Sequence, residues 1–280
     1  MLTKRITALG LLMPSTAVVV IFLGLPLILL FRYSLNRFVP GQFMVDALTG
    51  ENYVKFFSDP YYFAVLKTTV LMAVGVTVAS LIGGFPVAIA VARAPRRIKS
   101  LLIILTVIPL FVGNAVRAAG WMVAFGQKGV INAALEAIGA SEQTLMYTPT
   151  AVFIGIVSVN LPFVILTLQS VLEGIDPSTQ EAAANLGASP FEAFRLVTLP
   201  IALPGVVAAG TLCFILTMNA YATPLLLGGP RFQMMAPVLA NEVLNQNNWP
   251  FGGTIAFVLI GFTLLLTVTT NLVVARRYAR

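Results

Sequence analysis

The chain has 280 residues, of which 58% are hydrophobic and only 10% charged, with a formal net charge of +7. So little charge cannot cover the surface of a water-soluble domain of this size, which makes lipid the solvent for most of the chain. One cysteine and no histidine exclude an internal disulfide, a histidine general base and a His/Cys metal cage, and the positive charges gather at the ends of apolar segments instead of forming a nucleic-acid-binding run.

A membrane-crossing helix needs roughly 20 mostly apolar residues, each rising about 1.5 Å. Six stretches meet that requirement: Ile6–Phe31, Thr69–Ala92, Leu101–Phe125, Ala151–Val171, Gly205–Leu227 and Gly253–Ala275. The first follows Lys4 and Arg5. Its uncharged run is too long for the core of a signal peptide and no small-residue cleavage pattern follows, so it reads as an anchor. Six spans place both termini on one side. With the termini cytoplasmic, ten Lys/Arg fall inside and six outside, Arg117 lying within a span. The bias sits in the short loop Arg93–Ser100 and the tail Ala275–Arg280, where the positive-inside rule is strongest. The expectation is an all-α membrane protein of six transmembrane helices, a single domain over residues 1–280 with N and C termini cytoplasmic.

The outer connections, Tyr33–Lys67, Gly126–Thr150 and Gly228–Gly252, carry Tyr53, Phe56, Phe57, Tyr61, Tyr62 and Trp249. Each of these aromatics, taken singly, reads as a lipid anchor at the membrane interface. In the second span Gly83-Gly84 and Pro86 permit close packing or a kink. In the third, Asn114, Arg117 and Trp121 recur at i, i+3 and i+7 and share one helical face. An ionisable residue at membrane depth is costly unless it faces protein or water, so this face is a candidate lining for a solute path. Arg117 also lies towards the outer half of its span, where a long side chain can snorkel to the interface; both readings stand. Asn160 with Pro162 in the fourth span, and Asn219, Tyr221, Thr223 and Pro224 in the fifth, can line the same path or hydrogen-bond between helices, the commoner role for any one of them. Cys213 reads as a small core residue. No acidic residue falls inside any span, so this chain alone encodes no carboxylate site for a polycation.

Between the fourth and fifth spans lies the cytoplasmic loop Glu173–Leu203. Asp176 can cap a helix whose first position is Pro177, and Gly187 suits the left-handed position just past that helix. Ser189-Pro190-Phe191-Glu192 has the form of a capping box opening a second helix. Pro200 and Pro204 are expected to stop this helix and turn the chain into the fifth span. Ala182, Ala183 and Ala184 leave one surface small enough for a neighbouring chain to approach closely. An amphipathic hairpin lying on the membrane without a partner is the alternative.

The run Glu181-Ala182-Ala183, three residues, Gly187, nine residues, Val197, one residue, Leu199-Pro200 resembles the EAA loop of ABC importer permeases, departing only in Val197 where isoleucine is usual. The likeness covers most of the chain. Within type I importers it is nearest to the spermidine/putrescine permeases, through Asn52-Tyr53, Tyr61-Tyr62-Phe63, Pro109 to Trp121, and Asn248-Trp249-Pro250-Phe251-Gly252. A similar arginine occurs at the Arg117 position in polyamine-type permeases. The resemblance implies a type I ABC importer permease fold in the bacterial inner membrane, with Glu181, Ala182, Ala183 and Gly187 contacting an ATP-binding subunit dimer. It also implies a second permease subunit in a heteromeric pair and a periplasmic solute-binding protein. ATP and Mg would be held by the ATPase subunit, with no cofactor or metal bound by this chain and no nucleic acid as partner. A polyamine is the leading solute on this likeness; an aminophosphonate, an opine or another small amine or anion are the alternatives.

Other classes fit the residues poorly. The phosphate-binding pattern G-x-x-x-x-G-K-[ST] does not occur, so ATP is not hydrolysed on this chain. A membrane enzyme needs clustered acids, a nucleophile with its base, or metal ligands near one face. A secondary transporter or channel commonly carries ionisable groups at midplane and has no use for a docking loop.

Overall fold

The computed structural model describes residues 13–14 and 16–278. Lys4, Arg5, Arg280 and the first residues of the Ile6–Phe31 stretch lie outside them. In chain order the elements are α1 (Thr16–Ser34), a hairpin of β1 (Arg37–Val39) and β2 (Phe43–Val45), α2 (Glu51–Ser58), α3 (Pro60–Arg93), α4 (Arg96–Val107), α5 (Asn114–Phe125), α6 (Val130–Ala137), α7 (Pro149–Glu173), α8 (Ser178–Asn185), α9 (Pro190–Met218), α10 (Ala222–Leu227), α11 (Met235–Leu244) and α12 (Trp249–Tyr278). Among the described residues five helices are long and apolar enough to cross a membrane, and a bent pair makes a sixth if counted as one span. Leu71, Ile82 and Phe22 are 61%, 70% and 77% exposed, the outward apolar faces that lipid covers.

Two predicted spans are interrupted. The stretch Leu101–Phe125 is not one rod: α4 and α5 meet at 95° across a break of a few residues. Pro109 has no N–H, the backbone tightens to a 3-10 turn over Ile108–Phe111, and Val112 and Gly113 are extended; a helix cannot pass such a sequence unbroken. The fifth span starts earlier than Gly205 and ends earlier than Leu227. Helix α9 runs from Pro190 to Met218, stops at Asn219, and α10 restarts at Ala222. Pro224 explains the stop, because its ring would clash with the carbonyl of residue 220 in a continuous helix, whereas in the first turn of α10 it is tolerated.

Pro200 and Pro204 do not end the second loop helix, contrary to expectation. Helix α9 continues through both, because a π turn over Phe194–Thr198 widens the backbone ahead of them, with Leu199 N–H bonded to Phe194 O. That wider turn lies directly ahead of Pro200, which occupies the first turn of the regular helix, and Pro204 inside it leaves the Pro200 carbonyl without its i+4 donor but does not end the helix.

Backbone contacts divide the chain into two compact units: the described residues up to Phe63 with Val238–Gly261, and Ala64–Pro237 with the residues from Phe262 on. In the first unit, Phe56 and Phe251 are fully buried and Tyr62 nearly so. Phe56 stacks on Tyr62 with ring centroids 5.8 Å apart, and Tyr62 meets Phe251 edge-on at 4.8 Å. Lys55 Nζ lies 4.4 Å from the Phe251 centroid, a cation–π contact. Asn52 Nδ2 donates to the carbonyls of Ser34 (3.0 Å) and Asn36 (2.8 Å), satisfying the end of α1. Phe56 and Tyr62 are therefore core residues, which corrects their reading as lipid anchors, while Phe57, Tyr61 and Trp249 are about half exposed and keep it.

In the second unit, helices approach closely where side chains are small, since lipid provides no hydrophobic drive between helices and packing must supply the attraction. A Cβ on Gly84 of α3 would lie 3.1 Å from Val164 of α7, and one on Gly205 of α9 only 2.6 Å from Val171. Gly83-Gly84 thus serve close packing. Leu168, Ala202, Ala209 and Cys213 are fully buried at this contact.

Candidate functional site

The loop between α7 and α9 is built from local instructions. Asp176 Oδ1 accepts from Ser178 N–H at 2.9 Å, and Pro177 already has helical angles, so Asp176 caps α8 with Pro177 as its first residue. The one-residue difference from the assigned start is a boundary effect. This bond to Ser178 holds the Asp176 carboxyl below its usual pKa, so the cap stays charged and is lost only as pH falls through that lowered value. At the other end Gly187 has φ +86°. Gly187 N–H bonds Ala184 O at 2.9 Å and Ala188 N–H bonds Ala183 O at 3.1 Å, the paired closure of a Schellman turn. Ser189 and Glu192 form the expected capping box: Glu192 N–H donates to Ser189 Oγ and Ser189 N–H to the Glu192 carboxylate.

The tip of this loop is apolar and open. Leu186 is 90% exposed and Phe191 69%, an unusual pair for a water-facing turn and the kind of surface a protein partner covers. Glu181, Ala182, Ala183 and Gly187 lie on α8 and its closing turn. At the root of the loop Lys99 Nζ of α4 pairs with the Glu173 carboxylate of α7 at 2.8 Å, and Gln169 also donates to that carboxylate.

A cavity of about 550 Å3, mostly apolar with a few polar side chains in its wall, lies within the second unit, where the break after α4 meets α7 and the end of α9. Asn114, Arg117, Asn160, Asn219 and Tyr221 all line it. Trp121 does not; its Nε1 donates to Ser158 Oγ at 2.9 Å and its ring stacks on Phe125 with centroids 4.9 Å apart. Asn160 is 2% exposed and its Nδ2 donates to Thr217 Oγ1 at 2.7 Å, so it ties α7 to α9. Asn219 closes the last turn of α9 by donating to Ile215 O at 2.9 Å. Tyr221 is 42% exposed. Thr223 lines the wall, and Pro224 beside it is buried.

Arg117 occupies the centre of the break. Its Nη2 donates to the carbonyls of Pro109 and, at 3.2 Å, Val112. The Pro109 carbonyl also accepts from Val112 N–H at 3.2 Å, so the guanidinium is its second donor, whereas the Val112 carbonyl has lost its helical donor at the turn and takes the guanidinium in its place. Nη1 is buried without a protein partner. Among the described residues the cavity lining carries no carboxylate. Sequence reasoning placed Arg117 on a path-facing surface but missed Ser158, Thr217 and the two carbonyls, which no periodicity marks.

Five apolar helices long enough to cross a membrane among the described residues, a broken sixth and an exposed apolar loop define a multi-spanning membrane protein. The chain belongs to the family of binding-protein-dependent transport system inner membrane components, whose pattern it matches over residues 75–277. It is 31% identical over 252 residues to the spermidine/putrescine transport system permease protein PotB of Escherichia coli, covering 88% of this chain and 91% of that one. It is also 31% identical to the molybdenum transport system permease protein ModB of Mycobacterium bovis, over 75% of this chain and 76% of that one. Its fold matches a chain of a bacterial alginate ABC transporter solved with an alginate pentasaccharide-bound periplasmic protein, with TM-score 0.75 and 16% identity over 96% of this chain and 94% of that one. This is a type I ABC importer permease of the inner membrane, a transport subunit and not an enzyme.

Proposed function

We propose that the chain is the membrane subunit of an ATP-driven importer for a small polar solute, with a spermidine- or putrescine-like polyamine as that solute. The observation that carries the class is the loop itself: a short helix capped by Asp176, closed at Gly187 and presenting Leu186 to solvent. In this reading Glu181, Ala182, Ala183 and Gly187 contact an ATP-binding subunit dimer that holds ATP and Mg. A second permease subunit completes the path, both termini are cytoplasmic, and an outside binding protein delivers the solute. The cavity lined by Asn114, Arg117, Asn160, Asn219 and Tyr221 is part of the path, and no cofactor or metal resides on this chain. The polyamine assignment is supported by the similarity to PotB. Without carboxylates in the cavity, affinity for a polycation comes from the binding protein, the second permease and aromatic faces.

Uptake of labelled spermidine and putrescine by cells expressing the whole transporter tests this. Glu181→Lys and Gly187→Val are expected to abolish ATP-driven uptake while the chain still inserts, since one reverses the charge at the contact and the other forces a β-branched residue to φ +86°. Uptake unchanged in both variants sinks the coupling role. Transport of another small solute but of neither polyamine sinks the polyamine assignment alone.

A further inference from the structure

Helix α8 is joined to α9 through the chain, by packing against the first turn and π turn of α9, and by a side-chain hydrogen bond. The covalent route runs through Gly187, Ala188 and Ser189, then the first turn of α9, then the π turn at Phe194–Thr198. The turn is held by its Schellman closure and the capping box, so the π turn, a rare interruption of the α-helical ladder, is the least regular part of this route. The side-chain hydrogen bond runs from Gln180 Nε2 on α8 to Thr198 Oγ1 and fixes the direction of that packing. Thr198 is 1% exposed and is the last residue of the π turn. The bond therefore lands on the last residue of the soft segment, directly before the regular helix Leu199–Met218. Phe194, at the other end of the turn, packs edge-on against Phe85 of α3 with centroids 5.4 Å apart, which holds the turn against the bundle. At its far end α9 contributes Leu216 and leads into Asn219 and Ala220, all at the cavity.

We propose that Gln180 and Thr198 form a strut that carries displacement of α8 past the π turn into the helix that lines the cavity. They are positioning residues: neither touches the cavity, and each acts through α9. The idea rests on the reading of α8 as the contact for an ATP-hydrolysing subunit. Without the strut, a push on α8 is absorbed in the π turn, so ATP is consumed without the cavity changing its access.

The test uses the whole transporter in membrane vesicles, with Cys213→Ala removing the native thiol and Ala220→Cys placing a reporter at the cavity. Labelling by a membrane-impermeant maleimide is timed with and without ATP plus vanadate, and ATP hydrolysis is measured on the same vesicles. In this parent, ATP is expected to change the labelling rate by about tenfold, as a shift between two access states allows. Thr198→Val, which keeps the shape and removes the hydroxyl, should retain hydrolysis within about twofold and lose the labelling change; Thr198→Ser should keep both. Gln180→Leu should match Thr198→Val, and the double variant should be no worse than either single one, because one bond is lost only once. A full ATP-dependent labelling change in Thr198→Val, or effects that add in the double variant, overturns the strut. A parent with no ATP-dependent change overturns the coupling reading beneath it. Should Thr198→Val fail to assemble, Gln180→Leu on the surface helix decides the same question.

Discussion

The loop between α7 and α9 and the third-span break solve one problem, a helix that ends, in opposite ways. In the loop each free backbone group finds a partner a few residues away: Asp176 for Ser178, Ala183 and Ala184 for the closing turn, Ser189 and Glu192 for each other. At the break the carbonyls of Pro109 and Val112 are met by a side chain eight and five residues on, from the next helix. A loop at the aqueous surface can also fall back on water, so its caps shape it without being indispensable. The break lies at membrane depth, where the Val112 carbonyl has no such fallback, and one guanidinium ties the start of α5 back to the other side of a 95° bend.

The sharpest way to break that contrast is at Arg117. Arg117→Met should destabilise the purified transporter by about 1–3 kcal/mol for the Val112 carbonyl left unpaired, read as a drop in thermal unfolding midpoint, while the Pro109 carbonyl keeps its bond from Val112 N–H. Arg117→Lys should recover only part of this, because an ammonium is a single point donor and not a planar fork. Equal stability of the lysine and arginine forms would favour snorkelling over the staple at the break. Close packing offers a smaller effect of the same kind. Gly155→Ala would bring a methyl to 2.7 Å from Leu227 and Thr223, and Gly205→Ala meets stiff, β-branched Val171. Each should cost about 1–3 kcal/mol by overpacking, whereas Gly261→Ala, with nothing within 4 Å of a new Cβ, should be neutral or slightly stabilising. Smallest is the pair Lys99–Glu173, with side chains 27% and 35% exposed. Lys99→Gln should change stability by less than about 1 kcal/mol, and less still at high salt.

Legibility followed the range of the interaction. The loop could be read in its parts because caps, a left-handed glycine and the EAA spacing act within a few residues. One part of it misled: Pro200 and Pro204 signal a stop, and nothing local announces the π turn that carries α9 past them. Apolar length located the spans, but their breaks at Val112–Gly113 and Asn219–Tyr221 needed the backbone. The five cavity residues were found because polar groups are rare in apolar runs. Trp121, on the same predicted face, turned out to be engaged by Ser158 on another helix. The aromatics of the outer connection show the same limit, for Phe56 and Phe57 are adjacent and alike, yet one is fully buried and the other 56% exposed.

From sequence alone came the solvent of the chain, the number and order of its apolar segments, the family and the residues of the loop, since hydropathy and capping depend on neighbours along the chain. Tertiary structure alone decided that Arg117 staples a break, that Asn160 binds Thr217 and Trp121 binds Ser158, and that Gln180 reaches Thr198 across the π turn. Each of these is a polar group satisfied at a distance in sequence. In a bundle with little water inside, the partner is fixed by which helices pack together, and no pattern along the chain records that.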